Sequence, residues 1–172
     1  SFGWSMNAGS FAIAAVCTMA TGLPVSLSLS YEEHQHFSGK RCPSYTNASM
    51  ACGENGRITA LQYDTGIDHG AYSDVGEALI TRFTRYMGWP YAIPNIKGLA
   101  RMANTNHNFG VAYRGFGAPQ IMTASEGIVD MLAEKAGIAP FEFRYRNVAR
   151  PGDTTPNSYP YRHYPMEAIM DK

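Results

Sequence analysis

The sequence predicts an α+β protein, a mixed or antiparallel sheet with packed helices, and three observations lead there. Residues 25–31 alternate Val25, Leu27, Leu29 and Tyr31 with three serines, the period of two that sets one strand face on a core. Extended stretches over 46–52 and 57–67 flank Gly53-Glu54-Asn55-Gly56, whose Asn-Gly step suits a hairpin. Helical spacings of apolar residues are interspersed among these stretches from residue 10 to residue 145.

In chain order, residues 10–21 are apolar on nearly every side, with Ser10 as N-cap and a stop at Gly22-Leu23-Pro24. They read as a buried helix, with Cys17 inside it as a small hydrophobe. The strand at 25–31 and the hairpin follow. Asp74 and Glu77 have the spacing of a capping box, and Leu79, Phe83, Tyr86 and Met87 continue a helix that Pro90 and Pro94 end. Residues 96–106 return to an extended reading. Pro119 opens a helix in which Ile121, Ala124, Ile128, Met131 and Leu132 share a face up to Gly137, and a shorter helix begins at Pro140 near Phe141, Phe143 and Tyr145. Five residues of 150–165 are Pro151, Gly152, Pro156, Pro160 and Pro165, so that stretch reads as an irregular loop.

At 172 residues the chain is the size of one domain with a real core. Fourteen basic residues balance fourteen acidic ones without a run of either sign, which disfavours nucleic acid and anionic membranes as partners. Zero net charge does little to keep a free monomer apart from its neighbours and fits a piece that lives against other protein. Cys17, Cys42 and Cys52 form no C-x-x-C pair and read as reduced thiols, in keeping with a cytoplasmic protein. No run of about 18 apolar residues marks a membrane span. The chain opens on Ser1-Phe2-Gly3 without an initiator methionine, which reads as a cut piece.

The chemistry concentrates in Gly110-Val111-Ala112-Tyr113-Arg114-Gly115-Phe116-Gly117-Ala118-Pro119-Gln120. An arginine and an aromatic ring stand between glycines just before a helix. Glycine lets backbone approach a ligand, a helix start offers unpaired N–H groups, and Arg114 adds a charged donor, a combination suited to an anionic or oxo-bearing ligand.

The segment AYRGFGAPQ resembles the R-G-[FY]-G-[AG]-P-Q signature of the xanthine oxidase and aldehyde oxidoreductase family of molybdenum hydroxylases. Ser1-Phe2-Gly3-Trp4 resembles the end of that family's G-G-x-F-G loop. Asp68-His69-Gly70-Ala71-Tyr72, Ile93-Pro94-Asn95-Ile96 with Gly98, and Thr105-Asn106 follow in the family's order. Met131-Leu132-Ala133-Glu134-Lys135, Phe143-Arg144-Tyr145-Arg146-Asn147 and Pro151-Gly152-Asp153 are similar to bacterial aldehyde oxidoreductases in particular.

The resemblance implies that residues 1–172 are a partial molybdopterin-binding domain of a larger subunit, with 150–165 an irregular loop within it. The parent would be a molybdopterin-dependent enzyme that oxidises an aldehyde to a carboxylic acid with oxygen from water. A purine or other N-heterocycle hydroxylase is the alternative, and a scaffold that kept the fold without the chemistry is a second. The implied cofactors are molybdenum-molybdopterin here and iron–sulfur clusters elsewhere, with FAD an option on another domain or subunit. The implied partners are the rest of the molybdenum-binding subunit, an iron–sulfur domain or subunit, and a small aldehyde or heterocycle.

By the same resemblance, Phe2, Gly3, Arg114 and Gly115 contact the cofactor, while Phe116, Met6, Trp4 and Arg82 border the substrate. No direct side-chain metal ligand is expected. Each has a structural alternative: Phe2 as a core plug, Phe116 as a staple, Arg114 as an ion-pair partner, Arg82 as a solvated helix charge alongside Arg85. Where many members carry lysine and the purine oxidisers glutamate, Ser5 and Met6 stand, which weakens the purine reading. The family's general base lies in a later segment and no catalytic residue is expected in these 172. Glu126 and Glu134 read as solvated helix charges. His34 and His36 form an H-x-H pair read as a solvated strand end, and His69 reads as a hydrogen-bonded structural histidine.

Overall fold

The computed structural model describes residues 8–72, 75–155 and 158–172. Among them the order is α1 (Ala8–Thr21), α2 (Tyr31–Phe37), β1 (Ser44–Cys52), β2 (Ile58–Gly70), α3 (Gly76–Tyr86), β3 (Ile96–Asn104), α4 (Ala118–Ala136), α5 (Pro140–Asn147) and α6 (Met166–Met170). The sheet is mixed, in the order β1-β2-β3. β1 and β2 form the expected antiparallel hairpin, closed by Gly56 at φ +74°, where only glycine turns without steric cost. β3 runs parallel to β2, and α3 supplies the crossover that a parallel pair requires. In register, Tyr63 faces Gly98 across the ladder and Tyr45 faces Gly66, so each ring covers a position without a side chain.

The core lies where α3 and α4 cover the sheet. Leu79 and Phe83 of α3 and Met87 just past its end meet Leu61, Tyr63 and Ile67 of β2 and Ile121 of α4. A second cluster joins Val129 and Ala133 of α4 to Phe143 of α5, Ile58 and Tyr91. Fully buried side chains such as Phe83 and Phe143 contribute about 1.5–3 kcal/mol each. Asn147 ties the hairpin turn to α5: its Oδ1 accepts from Ile58 N–H at 2.7 Å and its Nδ2 donates to Gly56 O and Phe143 O at 2.8 Å.

Several expectations are corrected. α1 exists and ends at Gly22 in the left-handed region, but Phe11, Val16 and Met19 are 63, 62 and 84% exposed, and Cys17 is exposed too. Apolar composition says that a surface is to be covered, not that the cover lies nearby in sequence; it is not among the described residues. Residues 25–30 pair with no strand among the described residues, and Tyr31 starts a helix. There Ser30 and Glu33 form a capping box the sequence carried unnoticed, with Glu33 Oε2 accepting from Ser30 N–H at 2.8 Å. α3 has Val75 at its N-cap position without a side-chain cap hydrogen bond, and Asp74 of the expected capping box lies outside the described residues. The buried stripe of α4 is Ile121, Ser125, Val129 and Ala133, and Met131 is 69% exposed. Ser125 masked that stripe, because its hydroxyl is buried to accept from Gly88 N–H at 3.1 Å.

Candidate functional site

β3 ends at Asn104, and the chain then folds back along the end of β2. Gly110 N–H donates to His69 O at 2.7 Å, Thr105 N–H to Gly70 O at 2.9 Å, and Val111 N–H to Lys40 O at 3.0 Å. Asp68 secures this return from below: it accepts from Thr105 Oγ1 at 2.6 Å and Gly70 N–H at 2.9 Å, and it pairs with His107. The Thr105 hydroxyl, the His107 ring and the Gly70 amide together hold the Asp68 carboxyl down at about 2. His69 is fully buried with Nδ1 against Tyr72 O, as a structural histidine should be, and its Nε2 has no hydrogen-bond partner among the described residues. Cys42 is also buried, its Sγ close against Gly110, and burial pushes the thiol up to about 11.

The returning chain delivers Tyr113–Gly117 to the N-terminus of α4. Gly115, Phe116 and Gly117 take φ of +81°, +43° and +88° in succession. Glycine adopts this freely, whereas Phe116 carries about 1–2 kcal/mol of backbone strain. Phe116 N–H donates to Tyr113 O at 2.8 Å and Ala118 N–H to Gly115 O at 3.0 Å, which closes a double turn. Gly117 is buried over Phe83, and Pro119 in the first turn of α4 packs beneath Gly115, so a side chain at either glycine meets an occupied space. The loop therefore turns backbone and Arg114 outward, where both Arg114 and Gly115 are exposed.

One arginine far off in sequence fixes this shape. Arg41 Nη2 donates to Arg114 O at 2.5 Å and Nη1 to Gln120 Oε1 at 3.1 Å, while its guanidinium lies 4.7 Å from the Tyr113 ring centroid. Gln120 Nε2 in turn donates to Cys42 O at 3.2 Å. No sequence signal marked Arg41, because its partner is a backbone carbonyl 73 residues away.

Of the nominated residues, Arg114, Gly115, Phe116 and Arg82 come together. The Arg82 guanidinium stands 6.0 Å from the Phe116 ring centroid and 5.9 Å from that of Tyr86, and Nη1 donates to Tyr86 Oη at 2.9 Å. Arg82 is thus half-buried between two rings, not spread over an outer helix face. Phe2, Gly3, Trp4, Ser5 and Met6 lie outside the described residues. His34 and His36 sit on α2 two residues apart, on different sides of a helix and unable to share an ion there. Glu126 is corrected as well: it accepts from Tyr91 Oη at 2.9 Å and pairs with Arg144 at 2.9 Å, so it is a structural ion pair and not a solvated charge.

The exposed cation, the glycine backbone and the helix start form a cradle that fits an oxygen-rich anionic group. Fold and loop together thus define a cofactor-cradle unit. Residues 1–148 match the molybdopterin cofactor-binding domain, and the chain belongs to that family. Aldehyde oxidoreductase of Megalodesulfovibrio gigas is 44% identical over 171 residues, covering 99% of this chain and 19% of that protein. The nicotinate dehydrogenase large molybdopterin subunit of Eubacterium barkeri is 36% identical over 138 residues, covering 80% and 32%. The solved aldehyde oxidoreductase from Desulfovibrio gigas superposes with a TM-score of 0.92 at 44% identity, again covering 99% and 19%. The chain spans about a fifth to a third of the length of these relatives. The resemblance read from the motifs is borne out. No helix among the described residues is long and apolar enough to cross a membrane.

Proposed function

We propose that the chain is the part of a molybdenum hydroxylase that cradles molybdenum-molybdopterin, and that the parent enzyme oxidises an aldehyde to a carboxylic acid. The observation that carries this is the strained, outward-facing turn at 115–117, which holds Arg114 beside a helix start. Bound there, molybdenum-molybdopterin supplies the two-electron oxidation and the transfer of a water-derived oxygen atom to the substrate carbon. Arg114 donates to the cofactor's anionic face, and Gly115 lets backbone approach it. By the family resemblance, Phe2 and Gly3 would contact the same cofactor. Phe116 walls the substrate, Trp4 and Met6 add apolar surface, and Arg82 gives the wall one charged edge. The rest of the molybdenum-binding subunit supplies the base, and an iron–sulfur domain or subunit takes the electrons. The chain by itself is inactive on this account.

Relative kcat/KM on aldehydes, hypoxanthine, xanthine and nicotinate tests the reading in the parent enzyme. Aldehydes should lead, and Met6→Glu should move preference toward purines, because a purine needs hydrogen-bond partners for its ring nitrogens. A parent that prefers purines over aldehydes from the outset overturns the aldehyde assignment. A second reading, hydroxylation of an N-heterocycle, is favoured by the guanidinium of Arg82 beside Phe116 and by the nicotinate-oxidising relative.

A further inference from the structure

A recess of about 310 Å³ opens where α4, α5 and α6 meet the segment after α3, and no residue of the cofactor turn lines it. We propose that it binds one small neutral aromatic molecule. The site is independent of what the parent enzyme oxidises.

The lining decides the charge of the guest. Its ionisable groups are Tyr91, Glu126 and Arg144, and they are closed on one another. Tyr91 Oη donates to the two Glu126 oxygens at 2.9 and 3.0 Å, while Arg144 pairs with Glu126 at 2.9 Å and with Asp130 at 2.6 Å. Burial, with the Glu126 charge beside it, pushes the Tyr91 hydroxyl up, so it stays a donor. A charged guest would give up its hydration here and gain no unpaired partner. The other lining residues are Trp89, Pro90, Met122, Val148, Met166 and Met170. Thioethers adapt to irregular shapes and favour ring edges, which suits an aromatic guest. Trp89 is itself held edge-on between Tyr86 and Tyr164, each 6.1 Å away between centroids, so its ring is a fixed wall.

The space is held open by α6. That helix has no buried residue, although Met166 and Met170 stand at i and i+4 on one face of it and both line the recess. Polar ties hold it in place of packing. Arg150 Nη2 pairs with Glu167 Oε1 at 2.9 Å, and the Tyr145 hydroxyl donates to Asp171 at the helix end. Arg150 is fixed in turn on Val148 O and Tyr145 O, each at 3.1 Å. Apolar cavities of roughly 150 Å³ stay dry and take up benzene. This recess is larger, so a substituted ring has room.

The rival occupant is an apolar side chain from the rest of the parent subunit, and the test therefore uses the cofactor-loaded parent enzyme. Crystals soaked in iodobenzene locate the site, and fluorobenzene followed by fluorine NMR relaxation measures affinity in solution. Iodine should appear between Trp89, Met122 and Met170. Benzene should displace fluorobenzene at a concentration at least about tenfold below that needed by benzoate or anilinium. Met122→Trp puts an indole into the recess and should remove the iodine site and weaken fluorobenzene at least about tenfold without lowering Tm. Met170→Trp, on the α6 side, serves the same purpose where the first variant does not fold. An iodine site only elsewhere in the enzyme, a recess filled by polypeptide of the parent, benzoate competing as well as benzene, or an iodine site that survives the tryptophan each overturns the proposal.

Discussion

Removing the Arg41 side chain should loosen the 114–118 turn while leaving the sheet intact. In the wild-type chain its guanidinium makes two charged hydrogen bonds, to Arg114 O at 2.5 Å and to Gln120 Oε1 at 3.1 Å, and stacks on Tyr113. Hydrogen bonds to charged groups contribute about 1.5–3 kcal/mol each. Arg41 is half-exposed, so solvent replaces part of that, and about 2 kcal/mol remains as a working figure for the loop. Phe116 adds to the expected effect, since its strained φ persists only while the surroundings enforce it. Two kcal/mol corresponds to about a 30-fold change in an opening equilibrium. Hydrogen exchange reads this directly, because the amides of Phe116 and Ala118 are the two that close the turn. In Arg41→Ala both should exchange about 30-fold faster, with β2 amides unchanged; Arg41→Lys should fall between, since it keeps the charge and loses the fork. Unaltered exchange at Phe116 and Ala118 refutes the clamp, and uniform acceleration across β2 shows a global stability effect instead.

Three further outcomes are expected. Asn147→Ala strands the buried Ile58 N–H and the Gly56 carbonyl and should cost about 3 kcal/mol, or about 6–12 °C in Tm, measured by thermal unfolding. Because the folded-state pKa of Asp68 is depressed to about 2, its contribution is complete above the ordinary aspartate value near 4 and is lost as pH falls from there toward 2. Urea midpoints across that window should fall with pH, and Asp68→Asn should flatten the dependence. Cys17 should react with a thiol reagent in the folded chain, while Cys42, buried and with its thiol raised to about 11, should react only after unfolding, as a timed labelling experiment would show.

Much of the sheet and its two covering helices was legible because local signals agreed with the fold. Asn55-Gly56 set the hairpin, Leu79 and Phe83 marked the buried face of α3, and Pro119 and Gly137 bounded α4. The strand expected at 25–31 failed because alternation records which side chains seek cover, while a strand also needs a ladder partner, and Ser30-Glu33 offered a helix start instead. α1 was legible as a helix, but its surroundings were not, since burial depends on polypeptide that the local pattern does not name. At the site, Arg114 through Gly117 could be nominated from glycine spacing and the following proline. Arg41 was not singled out, and Asp68 and Gln120 entered only as members of motifs without a role, because what they hold is backbone or side chain brought close only by folding. Glu126 looked like a surface charge until Tyr91 and Arg144 closed over it.

The cradle assignment turns on Arg114. In the parent enzyme loaded with cofactor, Arg114→Ala should retain molybdenum content and Tm while its kcat on an aldehyde falls by about 10²–10³-fold, the scale of losing one preorganised donor at a reacting centre. An Arg114→Ala enzyme with full molybdenum and an unchanged kcat would contradict it.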